Sequence, residues 1–99
     1  MNYQIVIEPE ASEDVSEAFV WYEAQRPGLG SEFLQSVDDV FQRLRRTPEV
    51  HAKTYGNVRQ TLVHRFPYVV CYVVEDDRVA VVAVFHGYRE PTSWQVRVE

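Results

Sequence analysis

The stretch that decides the fold is Phe66-Pro67-Tyr68-Val69-Val70-Cys71-Tyr72-Val73-Val74, then Glu75-Asp76-Asp77-Arg78, then Val79-Ala80-Val81-Val82-Ala83-Val84-Phe85-His86-Gly87. Two apolar runs rich in valine and aromatic residues flank a short charged break, which predicts an antiparallel β-hairpin. A helix is disfavoured because β-branched residues lose side-chain freedom in helices and because each run is short. Neither run alternates between apolar and polar residues, so we expect the hairpin at the centre of a sheet that is covered on both faces.

The charged break sets the register of the hairpin. A two-residue loop at Asp76 and Asp77 implies four facing pairs, which are Glu75 with Arg78, Cys71 with Val82, Tyr68 with Phe85 and Arg65 with Tyr88. A longer loop would change this register, because Asp-Asp is not the dipeptide preferred in such a turn. In both cases charged or proton-transferring side chains gather at the open end of the hairpin, namely His64, Arg65, His86, Tyr88 and Arg89. We expect a functional site at that end.

The composition is ordinary for a soluble globular protein. The chain has 99 residues, of which 45% are hydrophobic and 25% are charged, and this length predicts one domain. No apolar run approaches the roughly 20 residues that a membrane helix needs. The first residues also lack the features of a signal peptide, so a cytoplasmic location is expected. The lone cysteine, Cys71, lies inside an apolar run and is expected to be a buried small hydrophobic residue.

The net charge of −5 is unevenly distributed along the chain. Residues 1–50 contain ten acidic and four basic residues, whereas residues 51–99 contain five acidic and six basic residues. The first half therefore carries −6 and the second half +1. This balance argues against a general nucleic-acid binder, but it allows a local basic site in the second half.

Two helices joined by a short turn are predicted before the hairpin. Pro9 begins the first helix, at a position where a missing N–H is tolerated. The buried side of that helix should carry Ala11, Val15, Ala18, Phe19 and Tyr22. After a turn at residues 26–30, Ser31 is expected to cap the second helix, and Pro48 follows its end. The buried side of the second helix should carry Phe33, Leu34, Val37, Val40, Phe41 and Leu44.

Further strands complete the predicted sheet. Residues 3–7 indicate a first strand, and residues 49–57 indicate a loop or an irregular edge strand. Residues 58–63 alternate as a strand does, with Val58 and Leu62 on one face and Arg59, Thr61 and Val63 on the other. The expected fold is therefore α+β, with an N-terminal strand and an antiparallel helical hairpin packed on a small antiparallel sheet.

Three arginines are candidates for a binding site. Arg59, Arg65 and Arg89 lie on strands or strand ends that the hairpin register could bring together. Arginine suits phosphate recognition because its planar fork donates two parallel hydrogen bonds and keeps its charge. The same side chains could instead be solvated or paired with carboxylates, and Glu90 is an obvious partner for Arg89.

A nucleolytic site is the sharpest chemistry that these residues could support. His86, Tyr88, Arg59 and Arg65 could supply a base for a 2′-hydroxyl, an acid for the leaving oxygen and cations for the phosphorane. A structural hydrogen bond is the more ordinary role for a histidine at a strand end. Trp94 and Tyr88 could stack on a base, although closing the core is the commoner role for such aromatic residues. The three histidines lack a recognised metal-ligand spacing, so no metal is expected.

Short motifs follow one another along nearly the whole chain. They are Tyr3-x-Ile5-x-Ile7, Pro9-x-Ala11, Tyr22, Leu29-Gly30-x-x-Phe33, Pro48, Val58-Arg59, Phe66-Pro67-Tyr68-x-x-x-Tyr72 and Val84-Phe85-His86-Gly87-x-Arg89-x-Pro91-x-x-Trp94. In order and spacing they resemble the RelE/ParE toxin superfamily of bacterial type II toxin–antitoxin systems. The fold of that superfamily, a helical hairpin against a small antiparallel sheet, agrees with the one derived above and implies a single toxin domain over residues 1–99.

The resemblance implies a chromosomal or plasmid-borne toxin that a small neighbouring antitoxin silences in a hetero-oligomer. RelE-like members cut messenger RNA in the ribosomal A site without metal, using basic residues and often a tyrosine or a histidine. ParE-like members poison DNA gyrase and lack that catalytic set. No cofactor is implied in either case, and whether the chain is an enzyme depends on which branch it follows.

The resemblance also nominates site residues. Arg59 and Arg65 match the recurrent basic positions of the superfamily, while His86 and Arg89 fall in the motif of the last strand, with Tyr88 between them.

The chain departs from the RelE-like nuclease pattern in three respects. The chain is acidic, residues 49–57 offer only Lys53 as a lysine, and no tyrosine follows Trp94. The patterns at Leu29-Gly30 and at residues 86–89 are closer to ParE-like sequences. We therefore rank a gyrase inhibitor ahead of a ribosome-dependent mRNA endoribonuclease. A non-toxic relative that binds an antitoxin is a further alternative.

Overall fold

In the computed structural model, which describes residues 2–89 and 92–99, five strands form one sheet and two long helices pack on one of its faces. The strands are β1 (Gln4–Ile7), β2 (Lys53–Tyr55), β3 (Val58–Leu62), β4 (Tyr68–Glu75) and β5 (Arg78–His86), and the helices are α1 (Pro9–Gln25) and α2 (Leu29–Arg46). Two 3-10 helices span Pro48–Val50 and Ser93–Val98. The strand order is β1-β5-β4-β3-β2, with β1 parallel to β5 and all other pairs antiparallel. The predicted α+β fold is confirmed.

The central hairpin has the predicted two-residue loop. Glu75 pairs with Arg78, and Asp76 adopts a left-handed conformation with φ of 54°. Asp is among the residues that tolerate this region, which explains how Asp-Asp can replace the more usual Asn-Gly. The loop-proximal half of the predicted register is therefore confirmed.

The open half of the hairpin departs from the predicted register. A β-bulge shifts the pairing between Tyr72 and Cys71, so that Cys71 faces Ala83 and Tyr68 faces His86. The predicted partners Val82 and Phe85 are wrong, because the bulge places one extra residue on β5. The predicted pair of Arg65 with Tyr88 is also wrong, since β4 begins at Tyr68 and β5 ends at His86.

The bulge decides which way the end of β5 faces. Side chains alternate between the faces of a strand, so a shift of one residue exchanges them. His86 now lies beside Tyr68 on the face that the long helices cover, and Phe85 packs on the opposite face. The bulge therefore turns His86 towards α1.

Both faces of the sheet are covered, as predicted. The larger apolar cluster lies between the helices and the sheet and includes Phe33, Val37, Val40, Tyr68 and Tyr72. A second cluster on the other face contains Val58, Cys71, Ala83 and Trp94. Its cover is the C-terminal 3-10 helix, which supplies Trp94. Cys71 is fully buried, and burial raises the pKa of its thiol to about 12, which confirms its expected role as a small core residue.

The turn between the helices is shorter than expected. Helix α2 begins at Leu29 rather than after Ser31, and Gly28 adopts a φ of 90° at its N-cap. The carboxylate of Glu23 accepts the N–H groups of Gly28 at 2.9 Å and Gly30 at 3.0 Å. A side chain of α1 thus satisfies donors that the start of a helix leaves unpaired, which removes the need for the predicted serine cap.

The buried sides of the elements match the predictions except at their margins. Ala11, Ala18 and Tyr22 of α1 are buried, while Leu34 of α2 is 40% exposed. Leu62 faces Val69, which packs on the same cluster as Val58, so the predicted shared face of Val58 and Leu62 is confirmed. Leu62 is nevertheless 71% exposed. The second cluster ends near Val58 and does not extend along β3 as far as Leu62. Within the described residues, no helix is both long enough and apolar enough to cross a membrane.

Candidate functional site

The candidate residues occupy three separate places. Arg59 lies on β3 next to the Pro48–Val50 helix, Arg65 lies in the turn between β3 and β4, and the other candidates lie at the end of β5 and in the turn after it. The last group consists of His86, Tyr88 and Arg89. Each place is held by different contacts.

Arg59 binds the backbone of the segment that follows α2. Its Nη1 donates to the carbonyl oxygens of His51 at 2.6 Å and of Glu49 at 3.3 Å. Its Nε is buried and has no hydrogen-bond partner among the described residues. Arg59 faces Tyr72 on the neighbouring strand β4. The hydroxyl of Tyr72 donates to the carbonyl oxygen of Pro48 at 2.6 Å. Arg59 therefore has a structural role in the described chain.

We expect Tyr72→Phe to lower the free energy of unfolding by about 1–3 kcal/mol, because the buried Pro48 carbonyl loses its donor. Burial raises the pKa of Tyr72 to about 12. Since the folded pKa lies above the ordinary value near 10, this stabilisation is complete below pH 10 and is lost as the pH rises towards 12. Urea unfolding between pH 8 and pH 11 measures both effects. Tyr88→Phe, at an 87% exposed side chain, is the matched control and should change neither.

Arg65 is bound to the start of α2. Its Nη2 lies 2.8 Å from Oε1 of Glu32, whose Oε2 lies 3.2 Å from Nη2 of Arg26. Hydrogen bonds from Arg65 and then Arg26 lower the pKa of the Glu32 carboxyl group. Arg65 also adopts a φ of 72°, so its backbone is held in an uncommon conformation. Glu32 thus already binds Nη2 of Arg65, whose side chain is 55% exposed.

His86 organises the turn after β5. Its Nδ1 accepts the backbone N–H groups of Tyr88 and Arg89, both at 3.2 Å. The ring centroid of His86 lies 5.4 Å from that of Tyr68 and 6.1 Å from that of Tyr88. Nδ1 is therefore the acceptor nitrogen of this ring. His86 thus makes the structural hydrogen bonds that were the more ordinary expectation.

Arg89 stacks on a residue that the sequence did not mark as functional. Its Cζ lies 5.7 Å from the ring centroid of Trp21 on α1, and Trp21 is 48% exposed. Trp21 lies outside the set of α1 residues that was predicted to be buried, and a tryptophan at such a position was the only signal in the sequence. Glu90, the partner expected for Arg89, lies outside the described residues.

A shallow cavity of about 210 Å³ lies between α1, β5 and the C-terminal 3-10 helix. His86, Arg89 and Trp21 line it together with the carboxylates of Asp14 and Glu17. Arg97 also lines the cavity and is paired with Asp14, so two acidic and two basic side chains face it. No cluster of metal-ligating side chains occurs in the described part of the chain.

The register keeps Arg59 away from His86. Arg59 faces Tyr72, which faces Val81, and Val81 lies five residues before His86 on β5. One of these five residues belongs to the bulge, because Tyr72 and Tyr68, the partner of His86, are only four residues apart on β4. At about 3.3 Å per residue, the two candidates are separated by roughly 13 Å along the sheet. Since Nη1 of Arg59 binds the carbonyl oxygens of Glu49 and His51, the described structure does not bring the sequence candidates together in one catalytic group.

Comparisons with known proteins agree on one family. The model of the family described as the ParE toxin of the type II toxin–antitoxin system parDE matches residues 5–91. Two curated relatives named Toxin ParE2, from two strains of Mycobacterium tuberculosis, are 24% identical over 99 residues, which cover 99% of this chain and 94% of theirs. A solved chain of the chromosomal ParDE system from P. aeruginosa has a TM-score of 0.76 at 14% identity, covering 85% of this chain and 95% of its own, which supports the fold.

Proposed function

The chain belongs to the ParE toxin family of type II toxin–antitoxin systems, and from this membership we propose that it arrests bacterial growth by inhibiting DNA gyrase and that a cognate antitoxin neutralises it. Both partners would be met in the cytoplasm. Inhibition by binding requires a surface that fits the enzyme and does not require an acid or a base.

The candidate catalytic side chains are bound at different places in the fold, which supports gyrase rather than messenger RNA as the target. RNA cleavage needs a base, an acid and a cation that converge within hydrogen-bond reach of one phosphate. Here Arg59 binds backbone carbonyls, Arg65 binds Glu32, and His86 uses Nδ1 to hold a turn. The net charge of −5 also weakens long-range attraction to RNA.

We place the antitoxin contact on residues 51–99 rather than on the helices. Residues 1–50 carry −6, which is unfavourable for an acidic partner, whereas residues 51–99 carry +1. Strand β2 pairs only with Val58 and Arg59, so β3 extends beyond it, and Leu62 there is 71% exposed. An edge with an exposed apolar side chain suits an extended partner segment.

The test expresses the protein alone and then measures its two possible activities. We expect growth arrest that co-expression of the neighbouring antitoxin gene relieves. The purified protein should inhibit gyrase supercoiling and leave messenger RNA intact on translating ribosomes. His86→Ala and Arg65→Ala are assayed in parallel.

Two results would reject this proposal. Ribosome-dependent cuts that disappear in both variants, with supercoiling untouched, would assign the chain to the endoribonucleases. Normal growth at confirmed soluble expression would indicate a non-toxic relative that only binds an antitoxin.

A further inference from the structure

Large side chains are exposed near the open end of the hairpin. Trp21 on α1 is 48% exposed, and Tyr88 in the turn after β5 is 87% exposed. Arg89 lies between these elements with its guanidinium over the indole ring, at 5.7 Å from the centroid. We call Trp21, Tyr88 and Arg89 the open-end surface. Tyr88 and Arg89 belong to neither of the two apolar clusters.

The open-end surface is held in place before any partner binds. The imidazole of His86 accepts the N–H groups of both Tyr88 and Arg89, which fixes the backbone of the turn. The indole of Trp21 lies edge-on to the buried ring of Tyr22 at 5.1 Å, which restricts its rotation. A surface that is already ordered loses less conformational entropy when it binds.

The chemistry of the surface fits a protein partner with a carboxylate. Tryptophan, tyrosine and arginine are the residues enriched among those that dominate binding energy in protein interfaces. The guanidinium of Arg89 lies over the ring of Trp21. Such a planar group can donate two parallel hydrogen bonds to a carboxylate. Nucleic acid fits less well, because the net charge of −5 weakens long-range attraction to a phosphate backbone.

We propose that the open-end surface is the contact by which this toxin engages its target enzyme, with a carboxylate of the target paired to Arg89. The inference rests on the proposed function in one respect, which is that the toxin acts by binding a protein. It adds that this contact is distinct from the antitoxin contact proposed on β3, so the two can be separated by mutation.

The experiment compares two disrupting variants with two controls. Tyr88→Ala and Arg89→Glu should each raise the concentration needed for half-maximal inhibition of supercoiling at least about 30-fold, the loss typical of a residue that dominates an interface. Arg78→Glu reverses an exposed charge at the opposite end of the hairpin, and Val50→Ala shortens a side chain that is 70% exposed. Both controls should inhibit as the wild type does. All four should bind the antitoxin and unfold at the wild-type temperature.

The same variants separate this inference from the choice of gyrase. If the wild type arrests growth without inhibiting gyrase, the target proposal fails and growth arrest becomes the readout. Loss of arrest in Tyr88→Ala and Arg89→Glu, with arrest kept in both controls, still supports the surface. If Tyr88→Ala and Arg89→Glu inhibit gyrase or arrest growth as strongly as the wild type does, the proposal for the open-end surface is overturned. If the wild type binds a DNA duplex in the absence of protein and Arg89→Glu abolishes this binding, the open-end surface binds nucleic acid. That result would overturn the proposal of a protein partner. A wild type with neither activity contradicts both proposals.

Discussion

Trp94→Ala is expected to lower the free energy of unfolding by about 3–5 kcal/mol, the range for removing a large aromatic side chain from a core. Trp94 is only 2% exposed. Its ring stacks on Phe85 with centroids 6.0 Å apart and meets the ring of Tyr55 edge-on at 5.5 Å. The indole therefore fills the centre of the second cluster, and alanine would leave a cavity that a six-residue 3-10 helix cannot close.

The matched control for this prediction is Val96→Ala in the same 3-10 helix. Val96 is 73% exposed, so its truncation should change stability by no more than about 0.5 kcal/mol. Urea unfolding followed by circular dichroism measures both variants. A loss below about 1 kcal/mol for Trp94→Ala would mean that the C-terminal helix does not belong to the cooperative core.

The sequence predicted that something covers the second face of the sheet but not which segment does so. The continuous apolar runs of β4 and β5 required burial on both sides. The covering residues 93–98 form a 3-10 helix, which has three residues per turn and is too short to show a periodic apolar pattern. Only Trp94 marked this segment, and its expected role in closing the core is confirmed.

The bulge in β5 could not be predicted from the chain. Val81, Val82, Ala83 and Val84 are all apolar, so no polar residue marks which of them faces each side. A single extra residue there reverses the faces of Phe85 and His86. The predicted pairs at the open end were therefore wrong, and of the candidates only His86, Tyr88 and Arg89 lie together at the end of β5 and in the turn after it.

Ion pairs between distant residues were also beyond sequence reasoning. Arg65 and Glu32 are 33 positions apart, and Arg97 and Asp14 are 83 positions apart. Spacing rules identify partners three or four residues apart on a helix, and they give no register between an N-terminal helix and a C-terminal segment. Arg97 was not a candidate for any role, although it makes the most extensive contacts of the arginines described above.

The contacts of Arg97 complete the edge of β5. Strand β1 pairs with β5 only from Arg78 to Val81, so the outer edge of β5 beyond Val81 has no neighbouring strand. In place of a strand, Asp14 accepts the N–H of Val84 at 3.0 Å, and Arg97 donates to the carbonyl oxygen of Val82 at 3.1 Å. The two side chains also bind each other through two hydrogen bonds, of 2.7 and 3.0 Å.

Asp14→Ala and Arg97→Ala are therefore each expected to lower the free energy of unfolding by about 2–4 kcal/mol, because each leaves a partly buried charge and a backbone group of β5 without its partner. The double variant should cost less than the sum of the two, with a coupling of about 1–3 kcal/mol measured by urea unfolding. Glu10→Gln is the control, since Glu10 lies 3.6 Å from Arg97 with a 64% exposed side chain and should contribute little. Strictly additive losses would show that the pair does not act as a unit, and that Asp14 and Arg97 stabilise β5 independently of each other.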